Sequence, residues 1–526
     1  MLRLLEADGL AEVYAARGLA AVVGDPHGRQ NAYAFLPGAS ARTVVLLGHI
    51  DTVDTVDYGP LEPYALDPEA LAARVDELAA LAPAMRPDLE AHPGDWLFGR
   101  GTIDMKSGVA ANIAVLRHFA ARAREGEPPP VSLVLLATPD EENASAGVLQ
   151  AVRWLTRLRA ERGLEYLGAI NTDYTSARYP GDPHRYIYTG TIGKLLPSFL
   201  VVGGESHVGE PFEGLDANLL AAELMRDLSM NPDLCDVVRG QSTPPPVTLH
   251  ASDLKAGYDV QLPFMAHFYL NVLTFTTEPA ALLARMVEMA RAALARTLAR
   301  VAEAEARWVG GSADVAAGWQ PRERMGTVLT YRELRAAAVV RAGEATVAAA
   351  LAEEMAQLSA DLDARARCLR LARRLWSESG LRGPAVVVYF SPPYYPHVAA
   401  TPCALHAAVA GVAAAHPELD LLVREFYPYI SDMSYLRLDA GTDLGALTAN
   451  MPTWRAADDD DDGAPAQPGA YALPLAEIER LGMPVVNLGP YGAGAHQRGE
   501  RLLMSYSFGT LPRLITETVE RLGEGA

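Results

Sequence analysis

Cysteine is scarce in this sequence, which has only Cys235, Cys368 and Cys403 among its 526 residues. Cysteines so few and so far apart provide neither a disulfide framework nor a thiolate metal site. This usage is typical of a protein that stays in a reducing compartment, and we expect a cytoplasmic location.

Basic residues are outnumbered, with 45 lysines and arginines against 65 aspartates and glutamates, which gives a formal net charge of -20. No basic patch offsets this charge, so we expect no nucleic-acid partner. No apolar run approaches the length of a membrane span, and we expect no membrane association. Residues 1–21 place three acidic residues among leucines and alanines, which predicts an amphipathic helix and not a signal peptide.

The rest of the composition is that of a globular protein, because half of the residues are hydrophobic and 21% are charged. The chain is long enough for two or more domains. Strands and helices alternate in its first part. Continuous apolar runs predict strands buried on both faces, and together the pattern predicts a doubly wound α/β domain with a mostly parallel sheet. The predicted strands are 43–50, 131–137 and 166–170, and the predicted helices are 67–81, 109–121 and 146–159.

After about residue 189 the pattern changes, and it favours a smaller inserted α+β domain. The helical residues 332–379 could be an added layer on either domain. A parallel-strand pattern resumes at 385–390 and continues with strands at 421–426 and 483–488. We therefore expect residues 1–190 and 385–526 to form the large domain and residues 191–384 to form the insert. The five aspartates at 458–462 predict a solvated loop.

Polar side chains follow the predicted strands at their carboxyl ends. They are His49, the pair Glu141 and Glu142, Asp173 and His496. Open α/β sheets form their sites in the crevice at these strand ends. Imidazoles and carboxylates suit zinc, and also cobalt or manganese, at a hydrolytic centre. The carboxylates outnumber the needs of one zinc ion, which favours two metals and leaves one carboxylate free as a base.

A further carboxylate, Asp104, lies between glycine-bearing turns just before a predicted helix. Such an aspartate is equally well explained as a helix cap. Taken alone, His49 could be a core histidine, and Glu141 with Glu142 could be a capping pair at a helix start. Taken together, the strand-end residues favour a functional site.

Several stretches resemble the successive signatures of one family of co-catalytic zinc hydrolases. That family includes carboxypeptidase G, aminoacylase, acetylornithine deacetylase and succinyl-diaminopimelate desuccinylase. The stretches 171–175 (NTDYT) and 190–199 (GTIGKLLPSF), with the long chain, most resemble the branch of the arginine-utilisation protein RocB. The family signatures are HIDTV at 49–53, GRGTIDMKSG at 99–108, DEE at 140–142, GESHVGEPFEGLDAN at 204–218, GMPVVNLGP at 482–490 and HQRGE at 496–500.

The resemblance implies a role for each matching residue. One zinc would be held by His49, Asp104 and Asp173, and the other by Asp104, Glu142 and His496, so that Asp104 bridges the two. A cis peptide would follow Asp104. Asp51 would orient His49 from behind. Glu141 would be the general base that acts on a metal-bridging water, and His207 on the lid would stabilise the oxyanion, in one version from the partner subunit of a dimer.

The chain also departs from the family pattern. It lacks the usual opening helix and the segment that follows it, so its start is expected to be truncated. The lid strand near 267–273 lacks the arginine that grips the substrate carboxylate in many members. Lys194, Arg437 and Arg498 are candidate substitutes, and Asn218 of the lid signature is a further candidate for substrate binding.

The resemblance thus implies a catalytic large domain, an inserted lid or dimerisation domain, and a homodimer formed through that lid. The predicted function is hydrolysis of an N-acyl or peptide bond in a small N-acyl amino acid or dipeptide. The acidic residues Glu205, Glu210, Glu213 and Asp216 around His207 favour a cationic substrate such as an arginine or ornithine derivative. The alternative is a catalytically silent member that binds a metal or ligand or serves as a scaffold.

Overall fold

The fold is described from a computed structural model that covers residues 1–25, 27–311, 313–316, 319–320, 322–359, 362–455 and 469–524. Its strands are β1 (Ala16–Ala21), β2 (Gln30–Leu36), β3 (Arg42–His49), β4 (Trp96–Phe98), β5 (Ser132–Thr138), β6 (Glu165–Asn171), β7 (Arg185–Tyr188), β8 (Gly193–Val202), β9 (Val237–Val238), β10 (Gln241–Ser242), β11 (Val247–Asp253), β12 (Met265–Thr274), β13 (Thr327–Thr330), β14 (Ala385–Tyr395), β15 (Leu421–Arg424), β16 (Val485–Asn487), β17 (Gly492–Ala493) and β18 (Arg501–Leu503).

Helices occupy much of the remaining chain. They are α1 (Leu2–Glu6), α2 (Pro68–Ala72), α3 (Val75–Leu81), α4 (Arg86–Ala91), α5 (Ser107–Arg124), α6 (Ala146–Arg162), α7 (Ala217–Leu228), α8 (Pro279–Gly310), α9 (Ala313–Ala316), α10 (Tyr331–Ala342), α11 (Glu344–Gln357), α12 (Ala364–Ser379), α13 (Ala404–Ala415), α14 (Gly445–Ala449), α15 (Leu475–Leu481) and α16 (Leu511–Glu524). None of the helices in the described ranges combines the length and the apolar character that crossing a membrane requires.

The large sheet has eight strands in the order β1-β2-β5-β3-β6-β16-β7-β15. Its central strands run parallel, with β3 between β5 and β6 and with β16 beside β6. Successive side chains along a strand point to opposite faces of the sheet, so the apolar side chains on both faces must pack against other elements. Val44 and Leu46 face a layer containing α5, α13 and α16, whereas Val45 and Leu47 face α6. The predicted doubly wound, mostly parallel α/β sheet is confirmed.

The smaller sheet has five strands in the order β11-β12-β8-β14-β13. Phe199 and Val201 of β8 pack in the cluster that contains α7 and α8. Leu200 and Val202, on the opposite face, pack against α10 and α12. The helical residues 332–379 therefore cover one face of this sheet, which settles the alternative that the sequence left open. The strand β14 is buried along its whole length because both faces are covered.

Two predictions about individual elements are wrong. The predicted helix over residues 1–21 ends at Glu6, and β1 follows as an edge strand paired with β2. Pairing with a neighbouring strand overrides the local helix preference of this alanine-rich stretch. The strand at 385–390 does not return to the large sheet, because β14 pairs with β8. Periodicity identifies a buried strand but not the sheet that holds it.

The three-part division of the chain stays a prediction, and the pairing of β14 supports a second boundary after Tyr395 and not at residue 385. The predicted loop at 458–462 lies outside the described residues.

A third sheet, in the order β17-β18-β4, joins the segment before Asp104 to the segment around His496. Two stretches almost 400 residues apart in sequence are thereby brought side by side.

Candidate functional site

The predicted site residues meet at one edge of the large sheet. His49 is the last residue of β3, and Glu141 and Asp173 follow closely after β5 and β6. These three strands are adjacent and parallel, so their carboxyl ends coincide. His496 reaches the same edge from the connection between β17 and β18, where its φ of 61° is left-handed.

Asp104 lies at the centre of the group and is buried, with 6% of its surface exposed. Its Oδ1 is 3.1 Å from Nε2 of His49, and its Oδ2 is 3.1 Å from Nε2 of His496. The same Nε2 of His496 is 3.1 Å from Oε1 of Glu142. The two carboxylate oxygens of Asp104 therefore face two different histidines. The peptide between Asp104 and Met105 is cis, as the family resemblance implies.

Two groups of potential metal ligands share Asp104. His49, Asp104 and Asp173 form the first group, and Asp104, Glu142 and His496 form the second. Within each group the ligand atoms lie within 4.8 Å of one another. These residues could hold two metal ions, and they are the same two sets that the resemblance implies.

The electrostatics of the cluster fit bound cations. Burial raises the pKa of the Asp173 carboxyl to about 7, and the charge of Asp104 adds to this effect. Burial likewise raises the pKa of Glu141 well above its usual value. Burial also opposes ionisation of Asp104, but hydrogen bonds from His49 and His496 keep the pKa of Asp104 below its ordinary value. Crowded buried carboxylates need compensating positive charge, and divalent cations can supply it.

The turn that carries Asp104 is held by a buried ion pair between Arg100 and Glu500, two residues to which the sequence analysis assigned no role. Arg100 Nη1 donates to Oε2 of Glu500 at 2.7 Å, and its Nη2 donates to Asp57 Oδ1 at 2.6 Å. The other oxygen of Glu500 accepts the backbone N–H of Ile103 at 3.3 Å. Arg100 and Glu500 each belong to a signature stretch, so this pair joins the Asp104 turn to the His496 loop.

Asp173 is held by a residue to which the sequence assigned no role. Oδ1 of Asn487 accepts the backbone N–H of Asp173 at 3.1 Å, and Nδ2 of Asn487 donates to the Asp173 carbonyl at 2.8 Å. Two glycines pack against the same turn. A Cβ on Gly489 would lie 1.7 Å from the Asp173 carbonyl oxygen, and a Cβ on Gly108 would lie 2.0 Å from that of Thr172. Glycine is required at both positions by this close approach.

Glu141 belongs to neither ligand group, although it is buried beside them. Its Oε2 lies 3.8 Å from Nε2 of His49. The backbone N–H groups of Glu141 and Glu142 each donate to the Asp51 carboxylate at 3.2 Å. Oδ1 of Asp51 is also 3.5 Å from Nδ1 of His49. Asp51 therefore lies behind both the histidine and the Glu141 loop.

Asp432 is a buried carboxylate near the cluster that the sequence analysis missed. It accepts a hydrogen bond from Thr138 Oγ1 at 2.6 Å, and burial raises its pKa to about 7. Its charge acts on Glu141 in the same direction as those of Asp173 and Asp104. Asp432 lies six residues beyond the predicted strand at 421–426 and in none of the signature stretches, so the sequence analysis did not single it out.

The structure does not bring every candidate residue to the cluster. His207 lies on an exposed turn after β8, where its Nδ1 accepts the N–H of Gly209 at 3.0 Å. Asn218 donates to Asp253 at 3.3 Å on the surface of the smaller sheet. Arg437 donates to Thr401 Oγ1 at 2.7 Å. Arg498 lies two residues beyond His496 and is partly exposed.

Lys194 lies close enough to the cluster for the Glu141 charge to act on it. It is the second residue of β8, and its Nζ is 5.7 Å from the centre of the Tyr395 ring. The Tyr395 hydroxyl is 3.0 Å from Oγ of Ser145, in the segment that follows Glu141. Burial lowers the pKa of Lys194, the nearby Arg365 adds to this effect, and the Glu141 charge opposes it.

A mostly parallel α/β sheet that gathers carboxylates and imidazoles at its carboxyl edge is the architecture of a metal-dependent α/β enzyme. Comparison with known proteins narrows this class. Residues 45–442 match the profile of Peptidase family M20/M25/M40. The chain belongs to this family, and it is therefore a hydrolase that acts on carbon–nitrogen bonds.

Individual relatives agree with this assignment. The uncharacterised protein YqjN of Bacillus subtilis (strain 168) is 35% identical over 486 residues, which cover 91% of this chain and 84% of YqjN. Protein RocB of the same organism is 30% identical over 513 residues, or 95% of this chain and 86% of RocB. Succinyl-diaminopimelate desuccinylase of Xanthomonas campestris pv. campestris (strain B100) is 31% identical over 224 residues, which cover 42% of this chain and 49% of the desuccinylase. The expected resemblance and the prediction of an enzyme are confirmed.

Proposed function

We propose that this protein is a dinuclear zinc-dependent hydrolase that cleaves the amide bond of a small N-acyl amino acid or dipeptide. The observation that carries the proposal is the position of Asp104, whose two oxygens each lie 3.1 Å from a different histidine. A carboxylate shared in this way suits a pair of metal ions. The mixed set of imidazole and carboxylate ligands suits zinc, and cobalt or manganese would also fit.

His49, Asp104 and Asp173 would hold one ion, and Asp104, Glu142 and His496 would hold the other. When bound, the two ions would lower the pKa of a water molecule and polarise the carbonyl to be cleaved. The contact of Asp51 with Nδ1 of His49, at 3.5 Å, supports a role in fixing the tautomer of that histidine.

Glu141 is the proposed general base. It lies beside the ligand groups without belonging to either, and the Asp51 carboxylate anchors its backbone N–H. Its carboxylate would accept a proton from the attacking water and deliver that proton to the nitrogen of the leaving amine. Its burial excludes bulk water from this transfer.

We expect Glu141→Gln to lower kcat by about 10²–10⁴-fold, because the amide side chain cannot accept the proton. Metal content should stay at the wild-type value, since Glu141 is outside both ligand groups. Hydrolysis of a panel of N-acyl amino acids and dipeptides, with metal analysis of each preparation, tests this expectation. Removal of metal from the wild type with a chelator is the matched control and should also abolish hydrolysis.

Full activity of the Glu141→Gln variant would show that Glu141 is not the general base. A wild-type protein without bound metal and without activity on any member of the panel would contradict the proposed function and favour a silent binding or scaffold protein.

His207 is proposed to act on the active site of a partner subunit in a homodimer formed through the smaller sheet. Its exposed position supports this arrangement, and β11 offers an exposed edge strand for pairing. From there His207 would donate a hydrogen bond to the oxyanion.

The three cysteines, which are free thiols, support a cytoplasmic location.

A mixture of Glu141→Gln and His207→Ala chains tests the dimer. Each variant alone should be nearly inactive. After subunit exchange, an equimolar mixture should regain about a quarter of wild-type activity, because about half of the dimers are mixed and one of the two sites in each mixed dimer combines an intact Glu141 with an intact His207 from its partner. No recovery after subunit exchange, or a single-chain mass in sedimentation, would contradict a partner role for His207.

The substrate is proposed to carry a positive charge, as an arginine or ornithine derivative does. Glu205 and Glu210 support this proposal, because they are free of ion pairs to the described residues of the chain. The other two acids of that group have structural partners: Glu213 pairs with Arg322, and Asp216 caps the N-terminus of α7. The attraction for a cation therefore rests on two carboxylates and not on four.

We expect kcat/KM for N-acetyl-arginine or N-acetyl-ornithine to exceed that for N-acetyl-glutamate by about tenfold or more, because the local negative charge concentrates the cation. The ratio should fall in the double variant Glu205→Gln/Glu210→Gln and stay unchanged in Glu288→Gln, a matched change at the exposed surface of α8. Equal or reversed preference in the wild type would overturn the assignment of a cationic substrate.

A further inference from the structure

Tyr427 lies behind Asp173 and is fully buried. Its hydroxyl donates to the backbone carbonyl of Tyr174, the residue after Asp173, at 3.0 Å. The hydroxyl also approaches the Asp173 carboxylate and lowers its pKa, against the larger effect of burial. Asn487 holds the backbone of Asp173. The turn that carries this proposed metal ligand is therefore held by Asn487 and by Tyr427.

The ring of Tyr427 is fixed by other aromatic side chains. It meets Tyr188 edge-on, with centroids 5.4 Å apart and an interplanar angle of 70°, and Tyr429 at 5.4 Å and 77°. Tyr429 in turn stacks on Tyr174 at 4.8 Å. Edge-to-face and stacked contacts of this kind favour one ring orientation. The hydroxyl is consequently aimed at the Asp173 turn by packing on several sides.

The backbone of Tyr427 contacts the place where the chain crosses between the two sheets. Its N–H donates to the carbonyl of Gly190 at 2.9 Å, and its carbonyl accepts the N–H of Ile192 at 3.3 Å. Gly190 and Ile192 lie between the end of β7, in the large sheet, and the start of β8, in the smaller sheet. A Cβ on Gly190 would lie 2.3 Å from the Val398 carbonyl oxygen, so this crossing is tightly packed.

We propose that Tyr427 is a positioning residue that holds Asp173 through the Tyr174 carbonyl and links this ligand to the crossing between the sheets. The proposal rests on the proposed function, in which Asp173 binds a metal ion. Residues behind a ligand commonly set its orientation, and their loss weakens metal binding. Here the backbone of the same residue is hydrogen-bonded to the segment that connects the two sheets.

This link has a thermodynamic consequence. An ordered conformation of residues 190–192 would stabilise the position of Asp173 that binds the metal ion. Binding of the ion at Asp173 would then stabilise the ordered conformation of residues 190–192 by the same free energy. Occupation of the first ligand group and the mobility of residues 190–192 are then coupled. Glu142 and His496, which only the second group uses, make no hydrogen bond to Tyr427 among the described residues.

The test uses the full chain, depleted of metal and titrated with Zn²⁺ in a calorimeter. The wild type should bind two ions. Tyr427→Phe, which removes only the hydroxyl, should bind one ion normally and the other about 10–100-fold more weakly. Tyr435→Phe is the matched control, because Tyr435 is also fully buried and its hydroxyl donates to a backbone carbonyl, that of Tyr394, at 2.8 Å. This control should bind both ions as the wild type does.

Wild-type affinities for both ions in Tyr427→Phe would overturn the positioning role, as would equal weakening in both tyrosine variants. Failure of the wild type to bind two ions would instead contradict the proposed function.

A second measurement does not depend on a variant folding. Hydrogen exchange of the wild-type backbone N–H of Ile192 should slow when the ion at Asp173 binds, and exchange unchanged by either equivalent of Zn²⁺ would overturn the link to the crossing.

Discussion

Electrostatic repulsion among buried carboxylates is the constraint on which the site depends. Asp104, Glu141 and Asp173 are each less than a tenth exposed, and Asp104 contacts both histidines. Burial alone would drive these acids toward their neutral forms, as the pKa of about 7 for Asp173 illustrates. A pair of divalent cations would reverse this tendency and bind the group together. The cluster is therefore costly for the fold unless it has cations to bind.

Hydrogen bonds and an ion pair in the surrounding structure hold these acids in place. The ion pair of Arg100 and Glu500 joins the Asp104 turn to the His496 loop, and Asn487 fixes the backbone of Asp173. Asp51 accepts hydrogen bonds from the Glu141 loop. Such support gives each of these side chains a fixed direction before any cation or substrate arrives, and preorganisation of this kind favours both metal binding and catalysis.

The sequence predicted which side chains the structure brings together at the sheet edge, because these residues obey a local rule: each follows a recognisable buried strand or lies in a distinctive motif. His49 and Asp173 are examples. It failed where the outcome depends on distant partners. Residues 16–21 look helical but pair with β2, and β14 was assigned to the wrong sheet. Asp432 and Tyr427 follow the predicted strand at 421–426, but only the tertiary packing shows that this part of the chain reaches the cluster. The cis peptide after Asp104 was expected only from the family resemblance.

The proposed function requires that Asp104 bind two metal ions at once. The most direct test is the metal content, measured by mass spectrometry, of the purified wild type and of Asp104→Ala, Asp173→Ala and His496→Ala, with circular dichroism to verify the fold. We expect about two ions per chain in the wild type, nearly none in Asp104→Ala, and about one in each of the other variants. A folded Asp104→Ala protein that retains one or both ions would contradict this requirement.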